Sequence, residues 1–299
     1  MTPTKKAAFI TGGASGMGLA VAKALASRTN EEWDLHLVDL NASTGNDAVS
    51  SLSNAHFYKT NVTDYDSLVS AYEEAFKISG RLDFVYANAG IVERDNFYEK
   101  HDLSKSPPKP NQLSIDINLK AVVDTSYLAL HYFRRSKSQN PDQSSPALVM
   151  TASCGGLYPS EFCPMYSASK AAVLQFNRAI AYSYKLEGVR TYATAPGTVK
   201  TNLLTGEEWK AFPEQYFTPM STLVDTVTKL VDGGDLEDST GKKLKESEAF
   251  GLTVEVNGDN FYFRAPGPFC DSNMEAMMKF TSMENQLARI EKTKKEAGS

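Results

Sequence analysis

Short apolar runs alternate along most of this 299-residue chain with longer stretches whose apolar residues recur every three or four positions. Residues 6–11 form a short apolar run halted by glycines, which predicts a buried strand, and a helical pattern follows from Gly16 to about Arg28. Residues 35–39 predict a second strand with a helix after Asn41, and residues 55–59 a third. Asp64 is placed to cap a helix carrying Leu68, Tyr72, Ala75 and Phe76 on one face. Later strands are expected over 82–86 and 147–151, and long helices over 111–135 and 166–186. Strands that alternate with helices imply a parallel sheet covered on both faces by right-handed crossovers. The expected fold class is α/β, a single-domain, doubly wound parallel sheet.

Three regions break the rhythm. Residues 93–110 are polar and carry Pro107, Pro108 and Pro110, so they read as a loop insertion. Residues 137–146 read as a Ser/Gln/Pro-rich loop, and 233–249 as a charged, exposed turn before a final strand pair near 251–264. With no internal repeat and no interdomain linker, one domain is expected over 1–270, including a substrate loop at about 198–220. A helical extension then occupies 271–299.

Composition adds mainly exclusions. Hydrophobic content of 41% with 22% charged residues suits a globular protein with a sizeable core. A net charge of −5 and a pI near 5.5 argue against nucleic-acid or anionic-membrane partners. The N-terminus shows no signal-peptide pattern and the chain no run of 18 apolar residues, so a cytoplasmic location is expected. Cys154, Cys163 and Cys270 have neither disulfide-framework nor zinc spacing, and His36, His56, His101 and His131 form no ligand set, so no metal is expected.

The candidate chemistry lies in two places. After the first strand, glycines at 12, 16 and 18 permit tight turns and close approach of a ligand, and the helix start then offers free N–H groups to a pyrophosphate. Asp39 ends the second strand, where a carboxylate can hold both ribose hydroxyls and repel a 2′-phosphate. Neither Ser15 nor Leu40 supplies the cation that NADP would want, which favours NAD. The alternative for Asp39 is capping the next helix. Further along, Tyr166 is followed four residues later by Lys170, alone in this respect among fourteen tyrosines. On a helix the two stack on one face, and an ammonium there should favour the phenolate. Ser153 closes the strand over 147–151, at the sheet edge where ligands bind, and could hydrogen-bond a substrate oxygen.

These motifs occur in the order of the short-chain dehydrogenase/reductase family, which the chain resembles from Lys6 to about Leu203. The carriers are the glycine run ending at Gly18, then Asn88, Ala89 and Gly90, then Asn118, Ser153, Tyr166 with Lys170, and Pro196, Gly197, Val199 and Thr201. The resemblance implies a tetrad of Asn118, Ser153, Tyr166 and Lys170. Tyr166 would act as general acid or base, Lys170 would hold the nicotinamide ribose, and Asn118 would position a water that links Lys170 to solvent. It implies cofactor contacts at Gly12, Ser15, Gly16, Met17, Gly18, Asp39, Asn61 and Val62. Asn88, Ala89 and Gly90 would lie beneath the adenosine half, with Pro196, Gly197, Val199 and Thr201 on the nicotinamide side. Departures from the family pattern are Ala87, Asn61 and Tyr192, which stand where asparagine, aspartate and asparagine are usual. The overall look is similar to NAD-dependent hydroxyprostaglandin dehydrogenases.

The expected activity is hydride transfer between NAD and a secondary alcohol or ketone, with a dinucleotide sensor, an imine reductase or an isomerase as alternatives. Tyr158, Phe162, Met165, Leu203, Leu204, Trp209, Phe212, Tyr216 and Phe217 occupy the loops expected beside the substrate. They suit either a bulky apolar substrate or a packed lid. In the family the two long helices make the dimer, so a homodimer or homotetramer is implied. The Met-rich stretch 272–295 could cover the pocket or a neighbouring subunit, or could be a surface helix.

Overall fold

The computed structural model describes residues 4–297. In chain order its elements are β1 (Thr4–Thr11), α1 (Gly16–Ala26), β2 (Glu31–Asp39), α2 (Ala42–Ser50), β3 (Ala55–Lys59), α3 (Tyr65–Ser79) and β4 (Phe84–Ala87). After a stretch with neither helix nor strand come α4 (Leu113–Ile115), a π-helical turn at Asp116–Lys120, α5 (Ala121–Gln139), β5 (Ala147–Thr151), α6 (Pro164–Leu186) and β6 (Arg190–Pro196). The remainder is α7 (Gly206–Trp209), α8 (Met220–Asp232), β7 (Leu236–Glu237), β8 (Lys243–Leu244), β9 (Leu252–Asn257), β10 (Asn260–Arg264), α9 (Ser272–Phe280) and α10 (Met283–Ala297).

Eight strands form one sheet in the order β10-β9-β6-β5-β4-β1-β2-β3. All neighbours are parallel except β9 and β10. That edge pair is the final strand pair expected near 251–264. Only two residues, including Gly258 at φ 56°, join β9 to β10, too few for a crossover and enough for a hairpin. Alternate strand residues feed opposite layers. Phe9 points to the side where Leu68, Tyr72 and Phe76 of α3, Phe133 of α5 and Val173 of α6 pack. Ala8 and Ile10 point to the other side, with Val21 and Leu25 of α1 and Leu223 and Val227 of α8.

The strand order reverses between β1 and β4, which opens a crevice at the carboxyl ends of the strands. Two expectations need correction around this frame. The helix foreseen over 111–135 is interrupted by the π-helical turn. The segment 233–249 is more than an exposed turn: β7 and β8 pair as a hairpin around buried Asp238, whose carboxylate accepts from Thr240 N, Lys242 N and Phe263 N of β10. In α9 and α10, Met274, Met277, Met278, Met283, Leu287 and Ile290 are exposed, and none lines the cleft described below. No helix among the described residues is long and apolar enough to cross a membrane.

Candidate functional site

The glycine turn is built by close contacts that larger residues would break. Gly12 sits at φ 64° directly after β1, and a Cβ at Gly18 would lie 2.3 Å from the Gly12 carbonyl oxygen. Thr11 Oγ1 accepts from Asn88 N at 3.0 Å and Ala89 N at 3.1 Å, tying the exit of β4 to the turn. Asn88 completes the brace. Its Nδ2 donates to Thr11 O (3.2 Å) and Gly12 O (3.3 Å), and its Oδ1 accepts from Thr151 Oγ1 (3.0 Å) at the end of β5. Ser15, the N-cap of α1, makes no side-chain capping bond, and the first turn holds no acidic residue. The amides there are left for an outside acceptor, which is what a pyrophosphate requires.

Asp39 emerges from β2 with its carboxylate accepting from Ala14 N and Asn41 N, each at 3.2 Å. The cap of α2 is Asn41, whose Oδ1 accepts from Ser43 N and Thr44 N, so Asp39 is not needed for that task. Asn61 braces its own turn. Its Oδ1 already accepts from Thr63 N (3.1 Å) and Thr63 Oγ1 (2.8 Å) within its own turn.

At the other end, the π-helical turn sets Asn118 inward, fully buried. Its Oδ1 accepts from Ile91 N and its Nδ2 donates to Ile91 O, both at 2.8 Å, with a further bond to Ser169 Oγ at 3.2 Å. Lys170 Nζ donates to Thr151 O at 2.8 Å and lies 5.7 Å from the Tyr166 ring centroid. Ser153 Oγ accepts from Gly155 N at 3.1 Å and also hydrogen-bonds the Tyr166 phenol. Burial pushes that phenol up to about 12, with the Ser153 bond pulling the other way, and burial brings the Lys170 amine down to about 7. This corrects the expectation that the ammonium by itself lowers the phenol. Desolvation is the leading effect on both groups: it keeps the phenol neutral and leaves the amine close to half protonated at neutral pH.

A cleft of about 490 Å³ joins the two ends. It is lined by Gly12, Ser15, Gly16, Met17, Asp39, Asn61, Val62, Asn88, Ala89, Gly90, Ser153, Tyr166, Lys170, Pro196, Gly197, Val199 and Thr201. Of the expected site residues, Gly18 and Asn118 are absent from that wall and sit behind it. The family model for the short-chain dehydrogenases matches residues 6–210. The chain belongs to the short-chain dehydrogenase family. Among curated relatives, a short-chain dehydrogenase/reductase of Penicillium rubens, prx7, is 43% identical, covering 92% of this chain and 99% of its own. An NADP-dependent dehydrogenase of Cochliobolus lunatus is 34% identical over 67% of this chain and 69% of its own. Human 15-hydroxyprostaglandin dehydrogenase [NAD(+)] is 30% identical over 71% of this chain and 74% of its own. A levodione reductase structure matches with a TM-score of 0.69 at 23% identity, covering 86% of this chain and 97% of that one.

The substrate side of this short-chain dehydrogenase departs most from what its sequence suggests. Of the nine expected aromatic and apolar residues, Leu203, Leu204, Trp209 and Phe212 line the cleft. Phe162 is 94% exposed and Tyr216 is exposed, whereas Tyr158 hydrogen-bonds Glu255 away from the wall. Trp209 is pinned by its Nε1 donating to Thr201 O at 2.8 Å. Cys154 and Cys163 both line the cleft, as do Ile91, Val92 and Ile117. Ile91 and Val92 directly follow Gly90, so adjacency to a motif could have flagged them. Glu93 and Arg94 carry no such signal. Glu93 Oε2 accepts from Tyr166 N at 2.6 Å, and Arg94 pairs with Glu208 and donates to Leu203 O at 2.9 Å, clamping the loop after Gly90 to the lid.

Proposed function

We propose that this enzyme is an NAD-linked dehydrogenase or ketone reductase acting on a bulky, apolar secondary alcohol or ketone. The observation that carries the reading is one cleft with a bare helix start and Asp39 at one end and Ser153, Tyr166 and Lys170 at the other. The wall fits a dinucleotide: the glycine turn leaves room for close backbone approach, and Asp39 presents a carboxylate where ribose hydroxyls would lie. When bound, the nicotinamide supplies or accepts the hydride.

The chain's own residues handle the proton and the oxygen. Ser153 Oγ donates to the substrate oxygen, and Tyr166 Oη gives up or takes its proton. Lys170, fixed by Thr151 O, holds the ribose and, as a cation, draws the phenol down when the cleft's charges are complete. Asn118, clamped to Ile91, keeps the π-helical turn open beside Lys170 and so supports a water path to it. The domain is proposed to run over 1–270 with 271–299 as an extension, and the exposed faces of α5 and α6 to pair copies into a dimer or tetramer.

Supplying alcohols and ketones with NAD and NADP in parallel, and reading reduced-nicotinamide absorbance, tests the proposal. Tyr166→Phe should cost roughly 10²–10⁴-fold in turnover, the range of general acid–base steps. Near-normal turnover in that variant would remove Tyr166 from the chemistry. Asp39→Ala should relax the preference for NAD. A native preference for NADP untouched by that substitution would overturn the cofactor reading.

A further inference from the structure

The substrate half of the cleft holds almost no charge. Among the described residues that line it, Asp39 and Lys170 are the only acidic or basic side chains. Asp39 ends β2, three strand positions from β5, and so belongs to the adenosine end. Lys170 is buried on Thr151 O. Around Ser153 and Tyr166 the wall is Ile91, Val92, Cys154, Cys163, Leu204 and Trp209. Arg94, a cation outside the wall, is committed to Glu208 and Leu203 O.

Behind this neutral wall lies a negative charge. One oxygen of Glu93 accepts from the Tyr166 amide, and the other, Oε1, is buried without a hydrogen-bond partner. Cys163 registers its presence: burial raises that thiol, and the Glu93 charge raises it further. An incompletely neutralised carboxylate acts over a longer range in a dry site than it would in water.

We propose that this site accepts uncharged, lipophilic alcohols or ketones and turns away substrates bearing a carboxylate, phosphate or phosphopantetheine arm, with Glu93 reinforcing the rejection. The inference rests on the proposed function in placing substrate beside Ser153 and Tyr166. An anionic arm entering this half would be stripped of water, meet no free cation and face Glu93. A neutral ring system would exchange water for aliphatic, aromatic and sulfur surface.

The test uses pairs of ketones on one fused-ring skeleton, one member a methyl ester and the other the free acid. Turnover is read with NADH and NADPH, which supply the hydride a ketone needs, and binding separately by quenching of Trp209 fluorescence, with Trp209→Phe giving the Trp33 background. The ester should exceed the acid about tenfold or more in kcat/KM and in affinity, the scale of one poorly screened like-charge contact. Glu93→Gln should narrow the ester-to-acid ratio; the ratio is the readout, because Glu93 also holds Tyr166. Arg94→Ala should leave it unchanged. Equal handling of ester and acid by the native protein overturns the proposal, as does loss of acid binding in Arg94→Ala, which would make Arg94 an anion receptor. Preferential ester binding without hydride transfer to any pair would support the electrostatic inference while removing the proposed reaction.

Discussion

At the glycine end of the cleft the wall is largely backbone, held by Thr11, Asn88 and Thr151 across three neighbouring strands. At the lid end it is side chains from two irregular segments, joined by Arg94 to Glu208, Arg94 to Leu203 O and Trp209 to Thr201 O. The first arrangement inherits the stiffness of the sheet and tolerates little change. The second depends on partly exposed contacts, each weak on its own, so it can be retuned for another substrate without disturbing the fold. Tyr166 and Lys170 stand where these regimes meet, and there the fold keeps an amine out of water at a cost.

That cost gives the largest predicted effect. Lys170 is lowered to about 7 in the fold against an ordinary 10.5. Between these values the unfolded chain binds a proton that the folded one sheds, so stability rises with pH through that window. The rise should be on the order of 5 kcal/mol in all, given about 1.4 kcal/mol for each pH unit that separates the two values. Above pH 10 the sign reverses for Tyr166, which burial raises to about 12, since the unfolded phenol ionises first. Urea unfolding of the protein at steps from pH 7 to 10 should show the increase, and Lys170→Met should flatten it. A slope that survives the substitution would move the stress away from Lys170.

Next in size is the brace. Asn88→Ala strands the Thr11 and Gly12 carbonyls and the Thr151 hydroxyl, and should cost about 1–3 kcal/mol with a matching loss of dinucleotide affinity. Phe162→Ala, at a residue that is nearly fully exposed on the substrate side, should fall within about 0.5 kcal/mol of the native protein. Melting curves of the two variants compare the ends directly, and similar losses would show that the two walls are equally constrained.

The same division explains what could be read from the chain. Strand ends are fixed by the apolar period, and the residues that follow them, Gly12, Asp39, Asn88 and Ser153, inherit positions at one edge of the sheet. Their convergence was therefore legible, as was the Tyr166–Lys170 pairing on α6. The π-helical turn around Asn118 was not, because one extra residue per turn leaves no mark in hydrophobic spacing. Nor was the charge state of the pair: sequence shows a neighbour four residues away but not the depth of burial that outweighs it. On the lid, composition announced aromatic residues without direction, so Phe162 and Trp209 looked alike. Glu93 and Arg94 were hidden in a polar, proline-containing stretch, because their partners at Tyr166 and Glu208 are remote in sequence and joined by no regular element.

The smallest predicted effect bears on the lid itself. Arg94 and Glu208 are each about half exposed, with side-chain exposures of 52% and 41%, so their pairing should contribute no more than about 1 kcal/mol to stability. Arg94→Ala should leave the melting temperature nearly unchanged, yet release Leu203 O and loosen the segment that carries Leu203, Leu204, Trp209 and Phe212. The expected result is a rise of up to about fivefold in KM, consistent with a contact of that strength. In the native protein added salt should raise KM in the same direction, because screening weakens an exposed pair, whereas the variant should lose this sensitivity. Exchanging the charges, with Arg94→Glu combined with Glu208→Arg, should recover part of the native KM if the ion pair holds the lid. Failure of the exchange alongside a native KM indifferent to salt would assign the work to the bond from Arg94 to Leu203 O, which no carboxylate at position 94 can make.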